Sequence, residues 1–269
     1  MTTRYLQCGR YRLAVGQDDR PLVMGVLNVT PDSFSDGGKF RHLDLALTHA
    51  EQMLADGVDI IDIGGESSRP GAEPLPLEEE LRRVMPLVFA LRDCGKPISV
   101  DTYKPEVMRE ALAAGADMIN DINAFRSPGA LSAVNESDCG LCIMHMQRDP
   151  ATMQIEPHYE DVTNEVGTFL MERAFALEAV GVERKRICID PGFGFGKNLE
   201  HNLDLLCSID TLLAKTELPV LVGMSRKFMI GAITGKSIEH RMAGSIAAHL
   251  VAAENGARIL RVHDVAETV

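Results

Sequence analysis

Eight short apolar runs punctuate the chain, at residues 23–27, 60–63, 98–100, 118–122, 141–144, 187–189, 220–222 and 259–262. All but the last are followed by a polar loop and then by a segment with apolar residues at helical spacing. The runs are apolar at nearly every position, the pattern of strands covered on both faces. The intervening periodicity predicts helices at about 43–56, 77–92, 105–114, 129–138, 160–181, 199–214 and 239–255. Gly57, Gly95, Gly115, Gly181 and Gly256 fall just past periodic segments, where a left-handed residue ends a helix. Residues 4–18 alternate around Gly9 and Gly16 and read as a hairpin that plugs one end of the core. Alternation of strand and helix implies parallel pairing. Eight units over residues 22–269 match one closed (β/α)8 TIM-barrel domain better than the alternative, an open doubly wound sheet. The chain stops just past the eighth run, so an incomplete eighth helix is expected, either missing or only begun.

A barrel gathers its chemistry at the C-terminal ends of its strands. There the chain places Asn28, Asp62 with Glu66 and Arg69, Asp101, Asn120 with Asp121, His145, Asp190, Ser225-Arg226-Lys227, and Arg261 with His263. Asp62, Asp101, Asp121 and Asp190 are expected to approach one mouth, where buried carboxylates call for a ligand rich in N–H donors or for a developing cation. Any one of them taken alone reads equally well as a helix cap or as the partner of a nearby base. Asn28, Arg69, Arg261 and His263 suit an anion, since arginine grips phosphate bidentately. A mouth of two characters follows. Lys227 suits charged hydrogen bonding better than Schiff-base chemistry, given Arg226 and the aspartates beside it. His145 reads as a core histidine with a local hydrogen bond. Pro191-Gly-Phe-Gly-Phe-Gly196 reads as a loop of close approach, with Phe195 able to pack on a flat ligand.

Composition narrows the partners. The chain has 269 residues, 45% of them hydrophobic, and a net charge of −12, which argues against nucleic acid or an anionic membrane as partner. No apolar run approaches a membrane span, and the N-terminus has no basic stretch followed by an apolar core, so a cytoplasmic protein is expected. The six cysteines lie scattered in apolar segments, as buried thiols of a reducing compartment do. Cys139-Gly-Leu-Cys142 has redox or zinc spacing but no second pair, and reads as coincidence.

At these residues the sequence resembles the dihydropteroate synthase family. The resemblance rests on Asn28-Val-Thr-Pro-Asp-Ser-Phe-Ser-Asp-Gly-Gly38, Asp62-Ile-Gly-Gly-Glu-Ser-Ser-Arg-Pro-Gly71, Ser99-Val-Asp-Thr102, Asn120-Asp121 and Met144-His-Met-Gln147. It continues through Asp190-Pro-Gly-Phe-Gly-Phe-Gly-Lys197, Gly223-Met-Ser-Arg-Lys227 and Arg261-Val-His263, in the family's order. It implies condensation of (7,8-dihydropterin-6-yl)methyl diphosphate with 4-aminobenzoate, with Mg²⁺ as cofactor. By the same resemblance Asp190 accepts from the pterin's amino edge, helped by Asn120 and Asp101, with Met144, Gly223 and Lys227 completing that pocket. Asn28, Arg69, Arg261 and His263 hold the pyrophosphate, with Asn28 a ligand of the metal. Ser68, Arg69, Pro70, Phe195, Lys227 and Phe228 line the 4-aminobenzoate pocket, and the loops 29–40 and 66–76 close over it. Catalysis falls to Asp101, Lys227, Arg261 and Asn28. The late helices imply a homodimer.

Three positions depart from the family's usual pattern: Ser68 for Thr, Phe228 for a Ser that helps hold the benzoate carboxylate, and Arg148 for Gly. The competing readings are a methyltetrahydrofolate-type pterin methyltransferase and a non-catalytic pterin-binding homologue. The first has no need of the Asn28 loop or of the Arg261/His263 anion site. The second does not explain why Asn28, Asp101, Lys227, Arg261 and His263 stand together.

Overall fold

The computed structural model describes residues 5–29, 39–67, 69 and 71–269, with 39–42 as backbone alone. Two sheets organise it. The smaller is an antiparallel hairpin of β1 (Tyr5–Cys8) and β2 (Tyr11–Ala14), with Tyr5 opposite Ala14. The larger holds β3 (Leu22–Asn28), β4 (Ile60–Gly64), β5 (Ile98–Asp101), β6 (Met118–Asp121), β7 (Gly140–Met144), β8 (Ile187–Asp190), β9 (Leu221–Val222) and β10 (Ile259–Val262). Its order is β8-β7-β6-β5-β4-β3-β10-β9, and every ladder in it is parallel. The two ends of that order meet through a bridge between Ile189 and Val220, and the Ile189 N–H donates to the Pro219 carbonyl at 2.9 Å. The sheet is therefore a closed barrel. Its seam is thin because Pro219, just before β9, has no N–H for a ladder.

Helices cover the outside: α1 (Lys39–Ala55), α2 (Leu77–Leu91), α3 (Pro105–Ala114), α4 (Ala130–Val134), α5 (Val162–Ala179), α6 (Leu199–Cys207), α7 (Ile209–Thr216), α8 (Phe228–Thr234), α9 (Met242–Glu254) and α10 (Val265–Thr268). Three differ from the periodicity. The helix expected over 129–138 ends at Val134, whose carbonyl accepts from the Arg186 Nη2 at 3.0 Å and from the Ser137 Oγ at 2.9 Å instead of continuing the ladder. The segment 199–214 is two helices, α6 and α7, hinged at Ser208, whose N–H turns back to Leu205 O at 3.2 Å. The seventh connection carries an additional helix, α8, closed by Gly235 in the left-handed region at φ 66°. α10 is a single turn, as the short tail predicts.

Alternation along the strands divides the core. Ile61, Ile63, Ile98, Val100, Ile119, Leu141, Ile143, Ile187, Ile189 and Leu260 point outward and pack with Val84, Leu87, Val107 and Leu170 of the helices. Leu22, Met24, Ile60, Met118, Cys142, Cys188, Leu221 and Ile259 form a second cluster inside the barrel, sealed by Leu6, Cys8 and Val15 from the hairpin and the segment after it. Burial of each large aliphatic side chain here stabilises the fold by about 1.5–3 kcal/mol. The seal is tight at Gly140, where a Cβ would lie 2.6 Å from the Cys8 Sγ. Two residues further along the same strands the interior turns polar.

Candidate active site

The inward positions above the apolar plug are Asp62 and Gly64 on β4, Asp101 on β5, Asn120 on β6, Met144 on β7, Asp190 on β8, Gly223 just past β9 and Arg261 on β10. The Arg261 guanidinium bridges two carboxylates: its Nε donates to Asp62 Oδ2 at 2.7 Å and its Nη2 to Asp101 Oδ2 at 2.8 Å. The Asn120 Nδ2 adds a hydrogen bond to the same Asp62 oxygen at 3.2 Å. Asp62 Oδ1 and the Ser99 Oγ, opposite each other in register, have no hydrogen-bond partner among the described residues. This floor can therefore accept more donors than the protein supplies.

Electrostatics follow burial. The Asp101 carboxyl is pushed up to about 7, first by burial and also by the negative Asp62, while Arg261 opposes the shift. Arg261 is itself raised, because the attraction of Asp62 and Asp101 exceeds the cost of its burial. Burial likewise raises Asp190, against Lys227, and the Asp190 Oδ1 accepts from the Gly192 N–H at 2.7 Å. Lys227 is pulled down to about 8 by burial, with Asp190 opposing. Its Nζ donates to Phe193 O at 2.7 Å and sits 4.5 Å over the Phe195 ring, which combines a hydrogen bond with a cation–π contact. A Cβ on Gly223 would lie 3.9 Å from that Nζ and 3.8 Å from the Arg261 Cβ, so the glycine keeps open the space between the two cations.

Arg226, just before Lys227, occupies the left-handed region at φ 59°. A non-glycine residue holds that conformation only when its surroundings fix it. Here its N–H donates to the Ser245 Oγ at 2.9 Å and its guanidinium pairs with Asp264. His263 stands at the lip with its N–H 3.2 Å and its Nδ1 3.0 Å from the Ser225 Oγ. Asn28 ends β3 with its Oδ1 turned to Gly64, where a Cβ would lie 3.0 Å away. That arrangement tests the site for Mg²⁺. Among the described residues no three His, Cys, Asp or Glu gather as a cage. An ion that takes most of its ligands from phosphate and water needs few protein donors, and the Asn28 Oδ1 is a hard oxygen of the kind it accepts.

The sequence expectation fails at Asp121. It does not reach the mouth: Oδ1 and Oδ2 accept from the backbone N–H groups of Asn123 and Phe125, each at 2.7 Å. Asp121 shares the outward parity of Ile119, so it caps the loop after β6 while Asn120 faces inward. His145 is buried and its Nδ1 meets the Lys197 Nζ at 3.0 Å, in keeping with a core histidine. Met144 and Phe195 pack together with Ile122, Met146 and Met153 on the rim. Phe228 opens α8 with 72% of its surface exposed, and Arg69 is exposed as well, so neither side chain is enclosed with the others. Ser68, Pro70 and residues 30–38, which hold most of the first closing loop, lie outside the described residues. Asp62 reaches the mouth as the sequence predicts, and there it is the second carboxylate on Arg261. Sequence reasoning missed the Phe193 carbonyl, which no side-chain pattern reveals.

Residues 24–263 match the family model of pterin binding enzymes. The chain is 50% identical over 250 residues to the dihydropteroate synthase of Escherichia coli strain K12, covering 93% of this chain and 88% of the relative. It is 53% identical to a crystal structure of Burkholderia cenocepacia dihydropteroate synthase complexed with 7,8-dihydropteroate, with a TM-score of 0.90 over 100% of this chain and 94% of that one. It is 51% identical to the Xanthomonas albilineans enzyme with 4-aminobenzoic acid, with a TM-score of 0.91 over 99% and 95%. With its mouth built from the same ordered motifs, the chain belongs to the pterin-binding enzymes and, within them, to the dihydropteroate synthase family.

Proposed function

We infer that the chain joins (7,8-dihydropterin-6-yl)methyl diphosphate to 4-aminobenzoate, giving 7,8-dihydropteroate and diphosphate. The observation that carries this reading is the Arg261 guanidinium bridging Asp62 and Asp101 in a ring with Asn120, Asp190 and Lys227, in a chain 53% identical to a synthase solved with 7,8-dihydropteroate. The pterin's amino and ring N–H groups suit the Asp190 carboxylate and the Asn120 amide, and Met144 offers an apolar face to the ring. Lys227 has donors for the ring heteroatoms. Arg261, with His263 at the lip, suits the diphosphate, and the family resemblance adds the exposed Arg69.

In the reaction the C–O bond between the pterin methylene and the diphosphate breaks, and its electron pair leaves with the diphosphate. The arylamine lone pair forms the new C–N bond and its nitrogen then releases a proton. Charge on the methylene peaks in the transition state, so the Asp101 carboxylate stabilises that state more than the ground state. Arg261 helps the leaving group depart by neutralising it. Asn28 would hold a Mg²⁺ ion, which would supply further neutralisation of the leaving group. Phe195 lines the arylamine pocket and Lys227 reaches the benzoate, while Ser68 and Pro70, which the resemblance also assigns there, lie outside the described residues. The resemblance gives the exclusion of water from the cation to the loops 29–40 and 66–76, of which residues 30–38, 68 and 70 lie outside the described residues.

We further propose a homodimer. Ile233, Ile238, Leu250 and Val251 on α8, the turn after it and α9 are 55%, 54%, 59% and 42% exposed, an apolar surface that a second copy would cover. Sedimentation velocity tests it, and a monomer at micromolar concentration would reject it. We place the protein in the cytoplasm, in keeping with its six free cysteines. The catalytic reading is tested by measuring diphosphate and dihydropteroate in one reaction with Mg²⁺, against Asp101→Asn. Equal yields that vanish in the variant are expected. Pterin binding with neither product would overturn the reading in favour of a non-catalytic homologue.

A further inference from the structure

The loop after β8 is held in an unusual way. From Gly192 to Lys197 every backbone carbonyl accepts from a side chain. Gly192 O and Phe195 O each take the Lys197 Nζ at 3.0 Å, and Phe193 O takes the Lys227 Nζ at 2.7 Å. Gly194 O takes the Gln154 amide, Gly196 O the Tyr159 hydroxyl at 2.9 Å, and Lys197 O the Asn202 Nδ2 at 3.4 Å. Gly192, Gly194 and Gly196 have φ of 72°, 79° and 65°, and a Cβ at 192 would lie 1.9 Å from His145 O. Such a backbone is left-handed at alternate residues and pressed onto the end of β7. It is fixed by the Lys197 side chain at its end and by Gln154, Tyr159, Asn202 and Lys227 from elsewhere in the fold.

Lys197 is the centre of that fixing. Only 3% of it is exposed, and no carboxylate pairs with it among the described residues. Its three partners are Gly192 O, Phe195 O and the His145 Nδ1, as many as an ammonium has hydrogens, and burial pulls its pKa down to about 7 with Asp190 opposing. The histidine suits the role of acceptor, since burial and the Lys197 charge pull its pKa down to about 2 and keep the imidazole neutral. Lys197 therefore grips the loop on both sides of Phe193 and Gly194 and ties it to β7.

We propose that Lys197 is a positioning residue for the second substrate: by holding Gly192 O, Phe195 O and His145 it sets where the Phe193 carbonyl and the Phe195 ring meet Lys227. This rests on the synthase reading above. Asp190, the pterin acceptor, belongs to β8 itself and meets the loop only through the Gly192 N–H, whereas the Phe193 carbonyl and the Phe195 ring lie inside the span that Lys197 holds, so loss of the grip weakens the arylamine pocket more than the pterin pocket.

The test is steady-state kinetics of Lys197→Met, which keeps the volume and removes the donors, beside wild type and Lys197→Gln, which keeps a donating head group. Formation of dihydropteroate by the wild-type protein checks the synthase reading separately. The expected result is a KM for 4-aminobenzoate raised about tenfold in Lys197→Met, as loss of three buried hydrogen bonds warrants. Pterin diphosphate affinity, read by direct titration, stays within about twofold, and Lys197→Gln recovers part of the KM. Equal loss for both substrates with a lowered Tm in both variants would make Lys197 a fold residue only and overturn the proposal. So would an unchanged arylamine KM. If Lys197→Met does not fold, Lys197→Gln carries the same comparison, since its shorter amide cannot reach all three acceptors.

Discussion

The inside of this barrel has two tiers built from the same strands. Ile60 and Asp62 are two residues apart on β4, Met118 and Asn120 on β6, Cys188 and Asp190 on β8, Ile259 and Arg261 on β10. The lower tier is apolar, closed by the hairpin, and needs nothing further. The upper tier is largely but less fully enclosed, with Asp101 and Arg261 partly exposed, and is not self-sufficient. Its carboxylates outnumber what Arg261 can neutralise, Asp101 and Asp190 are raised, and Lys227 is lowered, each in the direction that burial disfavours charge. A fold that wanted only stability would continue the lower tier upward. Keeping charge there costs stability that the lower tier must offset, and the return is a mouth ready for a charged transition state.

If that division holds, the two tiers respond differently to substitution. The largest effect is expected at Arg261→Met, which leaves Asp62 and Asp101 facing each other without a cation. Stability should fall by about 3 kcal/mol and the turnover rate by a factor on the order of 10³, read by denaturant unfolding and by product formation. Ile60→Ala in the lower tier should cost about 2–5 kcal/mol of stability. The folded fraction should nevertheless turn over at the wild-type rate. A lower-tier variant that lost turnover while still folded would break the comparison, because the plug would then be part of the chemistry.

The strands and the upper tier were legible because buried parallel strands are written as short apolar runs and because their ends carry Asn28, Asp62, Asp101, Asn120, Asp190 and Arg261. Parity decides which of those side chains enter the barrel, and parity was read too loosely at Asp121, one position out of phase with Asn120. The end of α4 was not legible, since the group that captures the Val134 carbonyl is Arg186, far along the chain. Nor was the loop at 192–197, whose contacts run through backbone carbonyls that every residue type shares. α8 spans seven residues, too few for a period to stand out.

A smaller effect separates activity from stability by pH. Asp101 must be ionised to face a cation, so kcat/KM should fall about tenfold per pH unit below pH 7. Its charge is set against burial, with Arg261, Asp62, Glu80 and Asp121 as the charged neighbours. Its folded pKa, about 7, lies above its ordinary 3.8, so its contribution to stability is present below pH 3.8 and is lost as pH rises through 7. Activity and this contribution thus run in opposite directions over one pH range. Asp101→Asn should abolish turnover and reduce the slope of the stability profile between those values, measured as Tm against pH, with Asp121, also raised to about 7 by burial, keeping the rest. An unaltered profile in the variant would mean that Asp101 is not the titrating group.

The finest test compares neighbours. Asn120 and Asp121 are consecutive on β6, one facing the mouth and one the loop. Asn120→Ala removes a polar contact to the pterin and the hydrogen bond to Asp62, and should weaken pterin binding by about 1–3 kcal/mol. Little stability should be lost, because the side chain left behind is small and Asp62 still has Arg261. Asp121→Asn keeps the shape but replaces one accepting oxygen by an NH₂ that faces a backbone N–H. It should lower stability by about 1–3 kcal/mol and leave pterin affinity nearly unchanged, read by titration at a temperature where both variants are folded. Exchanged outcomes would mean that the two side chains face the reverse of what β6 places here, and the division into tiers would fail at its most local point. Ala124 and Phe125, both left-handed at φ 54° and 55°, follow directly on the Asp121 cap, which is why the loss there should appear as stability rather than as chemistry.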